Sequence, residues 1–286
     1  MTFSDICGAA YLLDKSSGIT SRMATSSVAS AWGFRKYGHA GTLDPDATGL
    51  LIVLMGKATK LSRFITSEEK RYSFGIEFGI RTDTDDTTGN ILERKSAEHI
   101  SRKDIQSILK RYTGNITQKV PSYSAVKVDG VRAYKTARKG LLPDTPEKRV
   151  CVTDWELMKY ENSKVHLAVT VSSGTYVRAL ARDIGYDLDS CGAAFDIRRL
   201  SIGSFDIERA SREPDNPESM LSMTALLNAY ESVVLSDSDK RLVSHGARLY
   251  STLTGTVVLL DKQDRLVAMA EGDGSSLRPL CVFIAD

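Results

Sequence analysis

Two stretches of the 286-residue sequence alternate between apolar and polar side chains. In the first, the apolar members are Tyr72, Phe74, Ile76, Phe78 and Ile80, separated by Ser73, Gly75, Glu77 and Gly79. In the second, Val165, Leu167, Val169 and Val171 recur at every other position. A period of two residues is typical of a β-strand with one apolar face. The sequence therefore predicts two strands that each turn one face toward a core.

Three helices are predicted from caps and from helical spacing. The first runs from Thr20 or Ser21 to Trp32, with Met23, Val28, Ala31 and Trp32 on its buried side. The second opens at Ser101 with Asp104, buries Ile105, Ile108, Leu109 and Tyr112, and is closed by Gly114. The third follows Tyr176 and points Val177, Leu180, Ala181, Ile184 and Leu188 inward. Apolar runs at 10–13 and 50–55 predict further strands.

The C-terminal part is expected to form a separate small domain. Residues 206–218 are charged, contain two prolines and have no period, so they predict a linker. A helix at 219–230 is expected to bridge to a compact β-rich piece with a short helix at 237–244 and strands near 256–261, 265–270 and 278–284. The predicted units are therefore residues 1–205, a connection at 206–234, and a terminal domain at 235–286.

Composition excludes several classes of protein. No apolar run reaches membrane-spanning length, since the run from Leu50 to Met55 has six residues. The N-terminus lacks a basic stretch followed by an apolar one, so we expect no export signal and a cytoplasmic location. The four cysteines are scattered, which argues against a disulfide framework or a metal site. Residues 1–205 have a net charge of +7 and residues 206–286 of −5, so a polyanionic partner would suit the first part.

A glycine-rich loop from Tyr37 to Leu51 carries the most suggestive carboxylate. Glycines at 38, 41 and 49 allow backbone angles that other residues avoid, and Pro45 stiffens the chain after Asp44. Such a loop can present Asp44 for chemistry. Locally, an Asx-turn explains the same pattern. Among the histidines, His39 is the strongest candidate, because it lies on the same loop five residues before Asp44.

Arg178 is placed oddly in the predicted third helix. A cation in the first helical turn opposes the helix dipole, so an anion is expected nearby, and Arg182 one turn later strengthens that expectation. Simple solvation of both side chains is the alternative. With Asp44 and the hydroxyl of Tyr72, Arg178 forms a loose constellation in which a carboxylate nucleophile would stay ionised. A glycosidase would need a second paired carboxylate, and none is evident.

Residues 115–150 have no clear period and are rich in basic residues. Between Lys127 and Arg149 there are seven basic and three acidic side chains, interleaved with Tyr134. Lys127, Arg132, Lys135 and Arg138 are the candidate nucleic-acid contacts. A solvated surface loop remains the alternative.

Two short motifs match other enzyme classes. Asp83-Thr84-Asp85-Asp86-Thr87 has the D-x-D-x-T pattern of magnesium-dependent phosphotransferases, but polar residues precede it, so we interpret it as a hairpin turn. Ser124-Ala125-Val126-Lys127 has the S-x-x-K pattern of penicillin-binding enzymes without the motifs that accompany it. Neither pattern supports its enzyme class by itself.

Several segments resemble the TruB family of tRNA pseudouridine synthases. They are Gly38 to Leu51, Lys70-Arg71-Tyr72, Gly79 to Asp85, Val120 to Lys127, Gly174 to Arg178 and Arg198-Arg199-Leu200. Their order and spacing cover most of residues 10–205, and the end of the chain resembles a PUA-like domain. Ser16 stands where the family usually has proline. The resemblance implies an α+β class: a mixed, mainly antiparallel sheet flanked by helices, with a small β-rich C-terminal domain.

The resemblance also implies a reaction and site residues. Such enzymes convert uridine 55 in the T arm of tRNA to pseudouridine without metal or cofactor, after flipping the base out of the stack. Asp44 would be the nucleophile, Arg178 its partner, and Tyr72 the ring that stacks on uracil. The implied substrate-binding residues are His39, in the space that the flipped base leaves, Tyr176 and Leu200, in the pocket, and Lys15. The basic segment 120–150 would close on the T arm, and we expect a monomer.

Two other classes of function stay open on the residues alone. One is an RNA-binding or folding-assisting protein whose catalysis is incidental. The other is a metal-dependent phosphotransferase that uses Asp83 and Asp85.

Overall fold

The computed structural model describes residues 7–283. The strands of its larger part are β1 (Gly8–Lys15), β2 (Tyr37–Ala40), β3 (Thr48–Gly56), β4 (Lys70–Phe78), β5 (Ile80–Thr82), β6 (Ile91–Arg94), β7 (Gly114–Lys119), β8 (Lys127–Val128), β9 (Val131–Arg132), β10 (Glu147–Glu161), β11 (Lys164–Val171), β12 (Gly192–Ile202), β13 (Phe205–Asp206) and β14 (Met220–Ser222). Its helices are α1 (Ser21–Ala31), α2 (Ser62–Thr66), α3 (Arg102–Arg111), α4 (Ala133–Ala137) and α5 (Val177–Asp187).

Ten of these strands form one mixed sheet. Eight follow the order β14-β1-β3-β12-β4-β11-β10-β7, while β2 pairs with β3 and β13 with β12. Neighbours are antiparallel except β3 and β12, which run parallel where Arg198 and Arg199 face Thr48 and Gly49. The parallel contact joins the glycine-rich loop to the centre of the sheet. The predicted α+β class with a mainly antiparallel sheet is confirmed.

Helices cover the apolar face of the sheet. The alternating residues of β4 lie in one core with the inward residues of α1, α3 and α5, among them Val28, Ile108 and Leu180. The other face of β3 packs on α2 through residues such as Leu54 and Phe64. The period-two pattern of the sequence thus identified the face that is buried, because a strand alternates its side chains between the two faces.

The predicted helix starts are confirmed by their caps. The Thr20 hydroxyl accepts a hydrogen bond from the Met23 amide, and Ser101 with Asp104 forms a reciprocal capping box. The predicted inward positions of Met23 and Ala31 are wrong, since the Met23 side chain is 60% exposed and Ala31 is exposed as well. Small residues such as Ala24 and Ala29 face the sheet instead, which lets α1 approach closely.

Residues 115–150 contain regular structure that the sequence did not indicate. They include most of β7, the hairpin β8–β9, α4 and the start of β10. The 15-residue strand β10 was missed because it alternates poorly. Register shifts interrupt its pairing with β11, and much of it is exposed.

The predicted bridging helix at 219–230 is wrong. Residues 217–219 and 225–227 form single 3₁₀ turns, and β14 between them pairs with β1. The hydrogen bonds of this short edge strand to β1 satisfy its backbone without a helix. The preceding segment is also fixed to the body, because Trp32 Nε1 donates to the Pro214 carbonyl at 2.9 Å and Leu12 and Asp14 bond to Ser211.

The C-terminal strands form a second sheet. It contains β15 (Glu231–Val234), β16 (Leu249–Tyr250), β17 (Thr254–Leu260), β18 (Leu266–Asp273) and β19 (Ser276–Val282), beside α6 (Asp237–Ser244). The predicted helix and three strands are confirmed, apart from Ile284, which lies outside the described residues. β15 pairs with β17, so this sheet begins within the segment that the sequence assigned to the connection. In residues 7–283 no helix is both long and apolar enough to cross a membrane.

Candidate active site

A cavity of about 270 Å³ lies at the junction of the glycine-rich loop and the centre of the large sheet. Its walls are residues of the loop 41–47, Lys70 and Tyr72 of β4, Ile197 and Arg199 of β12, and residues 174–178 at the start of α5. Thr66 and Ala125 complete the lining. The cavity therefore gathers segments that are far apart in the sequence.

Asp44 lies in this cavity on a loop that is held from several sides. The Ser21 hydroxyl donates to the Leu43 carbonyl at 2.8 Å and accepts from the Leu43 amide at 2.9 Å. At the far end of the loop, Gly49 has a φ of +103°, and a Cβ there would lie 2.2 Å from the Arg199 carbonyl oxygen. Only glycine lets β12 approach so closely. The loop presents Asp44 from a fixed backbone.

Arg178 pairs with Asp44. Its Nε lies 2.9 Å from Asp44 Oδ2, Nη1 donates to the Thr84 carbonyl at 2.5 Å, and Nη2 donates to the Tyr123 carbonyl at 3.0 Å. The Arg178 side chain is only 4% exposed, whereas that of Asp44 is 45% exposed. The anion that its position in the first helical turn predicted is thus Asp44. Backbone carbonyls from two other segments fix the guanidinium.

The polar hairpin turn at 83–87 forms the support behind Arg178. It joins β5 to β6, as predicted, and Asp83 accepts hydrogen bonds from Asn90. Asp85 Oδ2 lies 2.9 Å from Arg182 Nη1, and burial raises the pKa of Asp85 although Arg182 and Arg178 oppose that shift. Asp86 Oδ2 lies 3.7 Å from Arg178 Nε. The second cation of α5 therefore has its anion as well.

Two tyrosines face the cavity. Tyr72 is 9% exposed on β4. Tyr176 precedes α5, and burial raises the pKa of its hydroxyl. The buried side chain of Gln118 on β7 clamps the Tyr176 backbone, accepting from its amide at 2.9 Å and donating to its carbonyl at 3.1 Å. Gln118 was not recognised from the sequence, because its role depends on the pairing of distant segments.

Comparisons with known proteins identify the family of this chain. Residues 30–177 match the family model described as TruB family pseudouridylate synthase (N terminal domain). The chain is also 37% identical over 284 residues to the tRNA pseudouridine synthase B of Thermobifida fusca, covering 95% of this chain and 97% of that protein. The chain belongs to the TruB family of pseudouridylate synthases.

Other relatives extend the comparison. The tRNA pseudouridine synthase B of Tropheryma whipplei (strain Twist) is 41% identical over 237 residues, which cover 80% of this chain but 63% of that protein. A structure titled "Crystal Structure of a Cbf5-Nop10-Gar1 Complex" superposes with a TM-score of 0.74 at 23% identity, over 96% of this chain and 85% of that one. The structural likeness establishes a shared fold, which includes the C-terminal sheet expected of a PUA-like domain.

Lys15 supports the TruB loop from beneath and is not among the residues that line the cavity. Its side chain is 1% exposed, and Nζ donates to the carbonyls of Ser16, Ile19 and Pro45 at 2.9 Å each. Burial lowers the pKa of Lys15 to about 8 against the opposing charges of Asp46 and Asp44. Lys15 thus holds the backbone next to Asp44, a position that differs from the direct substrate contact we expected.

His39 lies on β2, outside the cavity lining. It borders a separate surface depression with Arg22, Arg35 and Lys36. Its Nδ1 is buried and has no hydrogen-bond partner within residues 7–283, and burial with the charge of Arg199 lowers the pKa of the ring. The imidazole is therefore placed beside a basic surface rather than in contact with Asp44.

Ile197 of β12 lines the cavity together with the aliphatic residues Leu43 and Val177. Leu200, which the resemblance implied, is half-buried on β12 and does not appear in the lining of the described structure. Ile197 and Arg199 are two positions apart on β12 and share the cavity face. Because register shifts interrupt this strand, the sequence motif Arg198-Arg199-Leu200 could not show which of its neighbours turns inward.

The four basic candidates of the segment 120–150 are all exposed. Lys127 lies on β8, Arg132 on β9, and Lys135 with Arg138 on or just after α4. The segment reaches the site through Ala125, which lines the cavity, and through the Tyr123 carbonyl bound to Arg178. A basic surface is thereby attached directly to the Asp44–Arg178 pair. Within residues 7–283, no group of three or more His, Cys, Asp and Glu side chains is arranged to hold a metal ion.

Proposed function

We propose that this chain converts uridine 55 in the T arm of tRNA to pseudouridine, with Asp44 as the nucleophile. The observation that carries the proposal is the Asp44–Arg178 pair inside a cavity walled by Tyr72 and Tyr176. Membership of the TruB family supports it, as do relatives named tRNA pseudouridine synthase B.

The reaction is an isomerisation, so no atom is gained or lost. The bond between ribose C1′ and uracil N1 breaks, a bond between C1′ and C5 forms, and the proton of C5 is replaced by one on N1. A carboxylate nucleophile allows this exchange through a covalent intermediate that splits one difficult step into two easier ones. In the free enzyme the guanidinium of Arg178 balances the charge of Asp44.

The cavity fits a single flipped nucleotide. A uridine within a stacked loop is out of reach of a carboxylate that lies in a cavity, so the base must leave the stack. The rings of Tyr72 and Tyr176 and the aliphatic side chain of Ile197 offer apolar contacts that offset part of that cost. His39 would then face the RNA from the neighbouring depression, together with its three cations.

The RNA would contact the basic segment outside the cavity. Lys127, Arg132, Lys135 and Arg138 are exposed and make no ion pair with another described residue, which leaves them available to phosphates. Affinity that rests on phosphate contacts falls with rising salt concentration. We therefore expect the segment 120–150 to set affinity, while the cavity sets the rate of the chemical step.

The decisive experiment compares Asp44→Asn and Asp44→Ala with Asp46→Asn on an unmodified T-arm stem-loop. Asp46 is a matched control, since it lies two positions away on the same loop and is exposed. Pseudouridine is measured by tritium release or by chemical mapping, and RNA affinity by filter binding. We expect both Asp44 variants to bind the RNA and form no product, and Asp46→Asn to retain turnover.

Turnover by Asp44→Asn would reject Asp44 as the nucleophile. Product at another uridine, with uridine 55 untouched, would reject the proposed target while leaving the reaction class intact.

A further inference from the structure

Two nearly inaccessible cations lie against the cavity without a carboxylate partner. Lys70 is 5% exposed and Arg199 is 1% exposed, and both line the cavity. No carboxylate of the described residues lies within 4 Å of either one, in contrast to Arg178 and Arg182. Neither cation has a part in the chemistry proposed for Asp44.

Backbone carbonyls satisfy these cations only in part. Lys70 Nζ donates to the carbonyls of Thr66 and Glu68, which leaves one of its three protons without a partner. Arg199 donates from Nε to the Leu50 carbonyl at 2.7 Å and from Nη2 to the Gly41 carbonyl at 3.0 Å. The Nη1 group of Arg199 has no acceptor among the described residues. Both side chains thus retain unused donors.

The two cations converge on one point of the cavity wall. A Cβ built on Gly41 would lie 3.4 Å from Arg199 Nη1 and 3.9 Å from Lys70 Cε. Gly41 has a φ of +84° and lines the cavity, so the missing side chain leaves this corner open. Arg199 pairs with Tyr72 across the sheet, and Lys70 lies two residues before Tyr72 on the same strand. The cations therefore flank the ring expected to receive the base.

Lys148 adds a third positive charge at the rim. Its Nζ packs so closely on Gly174, another residue of the cavity wall, that a Cβ there would lie 1.7 Å away. Lys148 is exposed and has no ion-pair partner in the part of the chain that the structure describes. Burial, Arg199 and Lys148 together lower the pKa of Lys70 to about 8, with Glu68 opposing them.

Such a cluster is unfavourable without an anion. Burying like charges costs free energy that an opposite charge in the same place would recover. Glu68 is not the missing anion, because its carboxylate forms no ion pair with Lys70. Its Oε1 accepts a hydrogen bond from the Tyr230 hydroxyl instead, at 3.1 Å. The cluster is therefore arranged for a ligand that brings its own negative charge.

We propose that Lys70 and Arg199, with Lys148 at the rim, bind a phosphodiester that flanks the flipped nucleotide. The inference rests on the proposed function. Uracil and ribose are uncharged, so the phosphodiesters are the anions that a flipped nucleotide carries with it into the cavity. Binding one of them would fix the position of the ribose relative to Asp44. Lys70 and Arg199 thus act on substrate placement.

The test removes the charge from the RNA rather than from the protein. T-arm stem-loops are made with a methylphosphonate at the phosphate 5′ or 3′ of the target uridine, and single-turnover rates are measured with the unaltered enzyme. We expect one of the two substitutions to lower the rate about tenfold to a hundredfold, the range expected for losing charge-assisted hydrogen bonds. This design needs no protein variant that must fold.

A protein variant then identifies the partner. In Lys70→Gln the same methylphosphonate should lose most of its effect, because the interaction is already gone. Arg71→Gln is the matched control, since Arg71 is the next residue of β4 and pairs instead with Asp154 and Glu156. It should show the full methylphosphonate effect. If Lys70→Gln is unfolded by circular dichroism, the exposed Lys148→Gln replaces it.

Three results would overturn the inference. The first is an unchanged rate with both methylphosphonates. The second is a methylphosphonate effect that is reduced equally in Lys70→Gln and in Arg71→Gln. The third is competition by inorganic phosphate as strong as that by the stem-loop, which would mean a site for the free ion. Failure of the proposed function is distinguishable, because then the unaltered enzyme forms no pseudouridine on the unmodified stem-loop.

Discussion

Replacing Arg178 with lysine keeps the charge next to Asp44 but removes the geometry of the site. In the structure the guanidinium donates in three directions, to Asp44, to the Thr84 carbonyl and to the Tyr123 carbonyl. A lysine amine cannot reproduce a rigid fork aimed at three separate acceptors. We expect the lysine ammonium to remain paired with the Asp44 carboxylate and to leave the carbonyls of Thr84 and Tyr123 without a donor.

The size of the effect follows from those two carbonyls. A buried acceptor left unsatisfied costs about 1–3 kcal/mol, and these two are only part-buried, so Arg178→Lys should lower the free energy of unfolding by about 3 kcal/mol in total. For a chain of this length that corresponds to a fall of about 6–12 °C in Tm. Asp44→Asn should cost less, about 1 kcal/mol, because the amide oxygen can still accept a hydrogen bond from Arg178 Nε and Asp86 Oδ2 remains 3.7 Å from that nitrogen.

Activity should separate the two variants in the opposite order. Arg178→Lys should still form pseudouridine but about a hundredfold more slowly, because Asp44 and the support from residues 84 and 123 shift relative to one another. Asp44→Asn should form none. The assays are thermal unfolding followed by fluorescence, and single-turnover product formation on the T-arm stem-loop. A Tm for Arg178→Lys equal to that of the unaltered protein would refute the reasoning.

Two further predictions concern the cavity wall and its buried lysine. Ile197→Ala should lower the single-turnover rate about tenfold through lost contact with the base, whereas Leu200→Ala should not; equal losses would contradict the position of Ile197. The pKa of Lys70 is about 8, against 10.5 in a solvated lysine. Below pH 8 the buried charge of Lys70 therefore lowers the free energy of unfolding by about 3 kcal/mol. Between pH 8 and 10.5 the unfolded chain binds more protons than the folded one, so stability should rise with pH, and it should rise less in Lys70→Met. Denaturant midpoints of both proteins across this pH window measure the difference. Parallel curves for the two proteins would contradict the lowered pKa of Lys70.

The sequence was most informative where local chemistry decides structure. Capping at Thr20 and Ser101 was readable because the cap is a contact between residues three apart. Alternation in β4 and β11 was readable for the same reason, since neighbouring side chains point to opposite faces. The expectation of an anion near Arg178 also came from a local argument, the dipole of its own helix.

The errors lie where distant segments decide structure. The segment 219–230 looked helical, yet pairing with β1 made part of it a strand. β10 escaped notice because bulges disturb its alternation. The contacts of Lys15 with three backbone carbonyls below the loop were not foreseen either, and its expected role at the substrate stays a prediction. None of these outcomes can be judged without the neighbouring strands in place.

The sequence by itself determined the family, four strands of the large sheet (β1, β3, β4 and β11), and the two charged residues that meet, Asp44 and Arg178. Their meeting could be expected, since Arg178 needed an anion beside the start of its helix and the resemblance implied Asp44 as its partner. Only the tertiary structure decided what surrounds the pair: which aliphatic residues line the cavity, and that Lys70 and Arg199 share one corner of it. The reason is that burial and convergence are properties of packed strands, whereas a sequence records only the order of residues along each one.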